Sequence, residues 1–117
     1  MSNSLNWILL IVGVLAFVAE VVLGAATGFD LALLPIGSYE PRWFMKLQHV
    51  NPDEAVRAHL DLRARSTLGI HWGTFELTDE ALDQPPRDLA AARTVHGVGE
   101  DAFFTLPIGG TRRFATR

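Results

Sequence analysis

Four histidines, at positions 49, 59, 71 and 96, are the side chains in this 117-residue chain best suited to bind a metal ion or move a proton near neutral pH. They are too dispersed to form a local cluster. No H-x-H or H-E-x-x-H occurs, and with no cysteine the chain has no thiolate ligand, disulfide or cysteine nucleophile. No serine sits in a G-x-S-x-G elbow, and Gly97-Val98-Gly99 lacks the preceding strand and following Lys-Ser/Thr of a phosphate loop. Any site must therefore be assembled from distant segments. His59, between Val56 and Leu62, reads as a packed structural residue. His96 follows a helix end, where a cation favours the dipole, and reads as a surface cap. His49 and His71 stand at loop or strand-end positions beside aromatic and carboxylate side chains. Spacing alone leaves His71 open between a ligand or catalyst and a structural side chain.

The elements that must position these residues are legible in part. Phe29 to Ile36 is an apolar run of eight ending at Gly37, which suits a strand covered on both faces, with Pro35 marking where pairing must fail or end. Ser38 to Val50 has no clean period and holds three aromatics, two basic residues, an acid and a histidine, the make-up of a functional loop. Asn51-Pro52-Asp53-Glu54 is a helix start: Asn51 can cap, Pro52 suits the first helical position, and Glu54 stands three residues after the cap. That helix is expected to run to about Ala64, with Ala55, Val56, Leu60 and Leu62 toward a core and Arg57 and Arg63 outward. Ser66 to Ile70 reads as a second strand. Strand, loop, helix and strand make a βαβ-like crossover, so the fold class is α/β, and His71 falls just past the C-terminal end of a strand. Gly73 to Gln84 reads as a loop or broken helix carrying Glu76, Asp79, Glu80 and Asp83. Pro85-Pro86 opens another helix, through about Thr94, with Leu89, Ala90 and Ala92 as its apolar face, and Ala102 to Leu106 is a third strand candidate.

The N-terminal part has a different character. Residues 7–29 carry a single charge, Glu20, and no Lys or Arg occurs before Arg42. As a helix this segment would be about 34 Å long, enough to cross a hydrocarbon core of roughly 30 Å. Residues 1–29 are therefore expected to be a hydrophobic, transmembrane helix. A cleaved secretory signal and a buried helix of a larger assembly are the alternatives. Arg42 and Lys46 follow the segment and nothing basic precedes it, which puts the C-terminal part on the cytoplasmic side of a single-pass membrane protein. Membrane lipid is the expected partner. The formal charge of −3 argues against a nucleic-acid partner, which would want a basic face.

Beyond these readings, the ordered motifs PIGSYEPRWFM from Pro35, HVNPDEAV from His49, HWGTF from His71 and EDAFFTLPIGGTRRF from Glu100 carry a family resemblance. Residues 28–117 resemble the C-terminal part of the metallo-β-lactamase-fold hydrolases related to N-acylphosphatidylethanolamine-hydrolysing phospholipase D. The resemblance implies part of an αββα sandwich in residues 30–117. It implies a centre of two zinc ions that activates a bridging hydroxide against a phospholipid-like phosphodiester. In the same pattern His71 would be a zinc ligand and His49 a catalytic residue near the substrate phosphate. Tyr39, Glu40, Arg42 and Trp43 would shape the substrate-binding mouth. The family's H-x-H-x-D-H ligand run, its next histidine and its bridging aspartate have no counterpart here, so the sandwich is expected to be incomplete and the chain inactive by itself. Three alternatives follow. One is a membrane-anchored, non-catalytic module binding a partner through the Tyr39–Met45 loop and exposed sheet edges. Another is one half of a split enzyme that needs a complementary half-domain or a homo-oligomer. The last is the product of a truncated or frame-shifted gene.

Overall fold

The computed structural model describes residues 28–115. Three parallel strands, β1 (Leu31–Pro35), β2 (Ser66–Ile70) and β3 (Phe103–Phe104), form a sheet in the order β1-β2-β3. Between β1 and β2 the chain makes a short helix α1 (Arg42–Met45) and a longer one, α2 (Pro52–Asp61); α3 (Gln84–His96) connects β2 to β3. Each crossover thus carries a helix, as parallel pairing requires.

The pairing of β1 with β2 places Ala32 opposite Thr67 and Leu34 opposite Gly69, and Thr67 in turn lies opposite Phe103. Because side chains alternate along a strand, these residues share one face. That face meets the helices: Ile36, Ala55, Val56, Leu89, Ala92 and Phe103 form the buried core, with Leu34, Trp72 and Val98 packed against it. The other face carries Leu31, Leu33, Leu68 and Ile70, and there Leu31 is 38% and Leu33 54% exposed. The expectation that β1 would be covered on both faces is therefore corrected. Helices cover one side, and the described residues supply one β layer and one α layer.

Pairing extends past the formal ends of β1. The Arg65 and Ser66 amides donate to the carbonyls of Phe29 and Asp30, and the Ile36 amide donates to Ile70 at 3.0 Å, directly after Pro35, which has no N–H to give. Helix α2 begins as its sequence predicts. The Asn51 side chain accepts from the Glu54 amide at 2.8 Å, the Glu54 carboxylate accepts from the Asn51 amide at 3.0 Å, and Pro52 opens the helix. It ends at Asp61 rather than Ala64, because Arg63 adopts a left-handed φ of 50°. Its buried stripe is Pro52, Ala55, Val56 and His59, while Leu60 is largely exposed, one position off the stripe. Helix α3 runs to His96 and stops at Gly97, whose φ of 67° makes it a left-handed cap. The third strand is shorter than expected, two residues instead of five.

Two histidines hold this scaffold together. His59 is buried, with Nδ1 2.8 Å from the Thr67 hydroxyl and its ring 5.7 Å from that of Phe103, so it fastens α2 to the central strand. Burial pushes its pKa down, which keeps the ring neutral. His96 Nε2 lies 2.7 Å from Asp53 Oδ1 and joins the end of α3 to the first turn of α2. Of the expected membrane segment, residues 7–27 lie outside the described residues, and Gly28 and Phe29 belong to neither helix nor strand. Among the described residues no helix is long and apolar enough to cross a membrane.

Candidate functional site

The C-terminal ends of β1 and β2 are where the chemistry-bearing residues gather. After β1 the chain passes through Gly37 and Ser38 (φ 61°); after β2 it passes through His71 (φ 60°), Trp72 and Gly73 (φ 76°). The two exits touch. A methyl group on Gly37 would lie 2.1 Å from the His71 carbonyl oxygen and 3.1 Å from Trp72 Cα. Glycine is needed here because of this close approach and not because of its own φ. It lets β1 run hard against the turn that aims His71.

His49 arrives from the other crossover. Its amide donates to Met45 at 2.9 Å, closing the turn after α1, and Met45 is the buried anchor of that helix. Its carbonyl accepts from Arg42 Nη1 at 2.9 Å, while Arg42 Nη2 donates to both oxygens of Glu54 at 3.0 and 2.9 Å. Glu54 is the capping residue of α2, so the cap, the guanidinium and the His49 backbone form one strut. The result brings His49 and His71 together, with ring centroids 5.3 Å apart and planes tilted by 40°. The half-buried His49 and exposed His71 are 22 positions apart in sequence.

The other residues expected at the mouth are placed differently from one another. Tyr39 is buried, and its hydroxyl donates to Asp88 Oδ2 at 2.5 Å. Burial, and then the bond to Asp88, raises its pKa far above the ordinary phenol value, so the group stays protonated and ties the loop to α3. Glu40 accepts from the Arg42 amide at 3.0 Å. Arg42 is spent on Glu54 and on the Tyr39 and His49 carbonyls. Trp43 is 85% exposed and meets Phe44 edge to face, at 5.7 Å between ring centroids. Glu80 is the residue that sequence reasoning did not single out. Its carboxylate accepts from the Tyr39 amide at 3.2 Å, the Glu40 amide at 3.0 Å and the Thr78 hydroxyl at 2.8 Å. Burial acts to raise its pKa, but these donors outweigh it and the net shift is downward. Four acids in an aperiodic loop gave no signal as to which would turn inward.

A cavity of about 330 Å³ opens beside His71, lined among others by Gly37, Trp72, Phe75, Leu77 and Glu80. A second, of about 230 Å³, is lined by His71 together with Ile70, Leu106 and Ile108. His71 lines both, and their walls are mainly apolar. Among the described residues no three His, Asp or Glu side chains converge to hold a metal ion, and the chain has no cysteine. The residues present therefore do not fit a two-zinc centre.

A parallel sheet with its α layer, and a histidine at the end of β2 met by a second from the preceding crossover, is consistent with the profile match found for the chain. The β-lactamase superfamily domain matches residues 12–72, more than half of the chain, and the chain belongs to that family. The match takes in residues 12–27, which the motif resemblance had left out. Within the family it is similar to the N-acyl-phosphatidylethanolamine-hydrolyzing phospholipases D. It is 58% identical over 85 residues to phospholipase D 1 of this type from Caenorhabditis elegans, covering 69% of this chain and 23% of the relative. It is 48% identical over 62 residues to the mitochondrial enzyme of Saccharomyces cerevisiae, covering 53% of this chain and 13% of the relative. An uncharacterized protein of Mycobacterium tuberculosis is 47% identical over 79 residues, 63% of this chain and 21% of that protein. The chain thus spans less than a quarter of the length of these relatives.

Proposed function

We propose that this chain contributes part of the site of a metal-dependent phosphodiesterase of the phospholipase D type, acting on N-acylphosphatidylethanolamine-like lipids, and that it is inactive by itself. The observation that carries this reading is the pairing of His49, from the loop before α2, with His71 at the end of β2, inside segments shared with relatives of that name. His71 would be one ligand of a zinc centre whose other ligands come from outside the described residues. His49, its backbone held by Arg42, would present its imidazole to a phosphate oxygen as a hydrogen-bond donor. The apolar cavity beside His71 has walls suited to an acyl chain. Residues 1–29 would anchor the assembly in a membrane with the remainder on the cytoplasmic side. The bare apolar face at Leu31, Leu33 and Ile70 supports the split arrangement, since a complementary half-domain would cover it.

The test is to mix the purified chain with a separately produced polypeptide carrying the H-x-H-x-D-H part of a relative, and to measure release of phosphatidic acid from N-acylphosphatidylethanolamine. No hydrolysis by the chain alone, activity on mixing, and loss of that activity with His71→Ala are the expected results. Hydrolysis by the chain alone would refute the inactivity. A complex that forms without hydrolysing the lipid would favour the second reading, a membrane-anchored module that binds through the exposed Trp43 and Phe44.

A further inference from the structure

We infer that the C-terminal segment from Gly110 to Phe114 is a detachable strap that closes the uncovered face of the sheet over β3, and that its release joins Phe104 to the apolar surface of Leu33 and Leu68. Phe104 lies opposite Leu68, which lies opposite Leu33, so all three side chains stand on the face that carries no helix. Leu33 is 54% exposed there, yet Phe104 is only 5% exposed. Its cover is the returning chain. The Phe114 ring stacks on that of Phe104 with centroids 5.6 Å apart, and the Arg112 guanidinium carbon sits 4.2 Å from the Phe104 centroid. Arg112 Nη2 also reaches Asp101 Oδ1, just before β3, at 3.4 Å.

The motif EDAFFTLPIGGTRRF, which the candidate site leaves almost unused, thereby gains a role. Asp101 and Phe104 receive the strap, Arg112 and Phe114 form it, and Gly110 makes the return. The Gly110 amide donates to the Pro107 carbonyl at 2.8 Å, and a methyl group on Gly110 would lie 2.9 Å from that oxygen. The strap is held by side chains. Among the described residues no backbone hydrogen bond ties residues 111–115 to a strand. The Asp101 side chain is fully exposed, and Arg65 Nη1 reaches the Ala115 carbonyl at 3.5 Å, the limit of a hydrogen bond. The stacked rings and the cation over them contribute a factor of about five to seventy toward the closed form. Contacts of this kind open locally while the sheet stays folded.

The experiment uses the full chain, followed by proton NMR with a water-soluble gadolinium chelate as a probe of exposed ring protons, and by trypsin. In the unaltered chain the Phe104 and Phe114 rings should show a nuclear Overhauser contact. The Arg112 side-chain protons should be shifted upfield by the ring beneath them, and the Phe104 ring protons should be shielded from the chelate. Gly110→Ala leaves every strap side chain in place but collides with the Pro107 carbonyl. It and Phe114→Ala should each expose Phe104 to the chelate. Each should also speed trypsin cleavage after Arg112 by about fivefold or more, since cleavage follows the population of the open form. Cleavage after Arg57 and Arg93, inside α2 and α3, should keep its rate. Absence of the ring contact in the unaltered chain, or cleavage after Arg112 that neither variant speeds, would overturn the proposal. Equal acceleration at Arg57 and Arg93 would do so too, because the segment would then open only with the whole folded unit. These readouts need neither lipid nor a second polypeptide, so their failure and that of the mixing experiment above are separate results.

Discussion

Replacing Gly37 by alanine would put a methyl carbon 2.1 Å from the carbonyl oxygen of His71 and 3.1 Å from its carbonyl carbon. A carbon and an oxygen rest at about 3.2 Å or more, so one exit must move by roughly 1 Å in a close-packed interior. The obstacle is backbone on both sides, which no rotamer change can relieve. The movement acts on the Ile36 amide bond to Ile70, 3.0 Å long, immediately before the substituted position. Overpacking of this kind costs about 1–3 kcal/mol, and a weakened buried backbone bond adds about 1 kcal/mol, giving roughly 2–4 kcal/mol in all. For a folded unit of this size that lowers Tm by about 8 °C or more. The same displacement moves His71, so the rings of His49 and His71 should separate. Urea unfolding measures the first effect, and the loss of the nuclear Overhauser contact between the two imidazoles measures the second. Gly99→Ala, where an added methyl has nothing within 4 Å, is the control and should stay within about 0.5 kcal/mol of the unaltered chain. The reasoning is refuted if Gly37→Ala is as stable as that control with the imidazole contact intact.

Removing the Arg42 side chain should act on the same pair from the other side. Arg42→Ala breaks a half-buried charge-assisted contact to Glu54 and frees the His49 carbonyl, for a cost of about 1–3 kcal/mol. It should also broaden the His49 imidazole resonance; an unchanged resonance would mean the strut does not set the ring. The pH dependence of stability should carry the mark of His59. Its folded pKa lies below the unfolded value of about 6.5, so the unfolded chain binds the extra proton. The contribution is complete above about pH 6.5 and declines as the pH falls through the lowered folded value. The urea midpoint should therefore drop between pH 7.5 and 5.5, and His59→Asn should flatten that drop. A slope of equal size in the variant would assign the effect to other groups.

Local chemistry was readable wherever a residue's partner lies within one turn of it. The Asn51–Glu54 capping box joins residues three apart, and β2 has the bounds Ser66–Ile70 that its short run suggests. His59 could be read as packed from its neighbours. Where elements end was less legible, since α2 stops at a left-handed Arg63 that no residue-level rule predicts. The burial of β1 was misread because a continuous apolar run tells how much surface wants covering, and not whether the chain covers it. Motif order pointed to His49 and His71 separately, but their 5.3 Å separation depends on how two crossovers pack, which is a property of the sheet register and of the Arg42–Glu54 contact. Glu80 was invisible for the same reason: its partners, Tyr39 and Glu40, lie some forty positions away. By itself the sequence determined the caps, the breaks and the chemical types available. The tertiary structure alone decided which of them meet, because close approach across strands, as at Gly37 and His71, is set by long-range packing that no local pattern encodes.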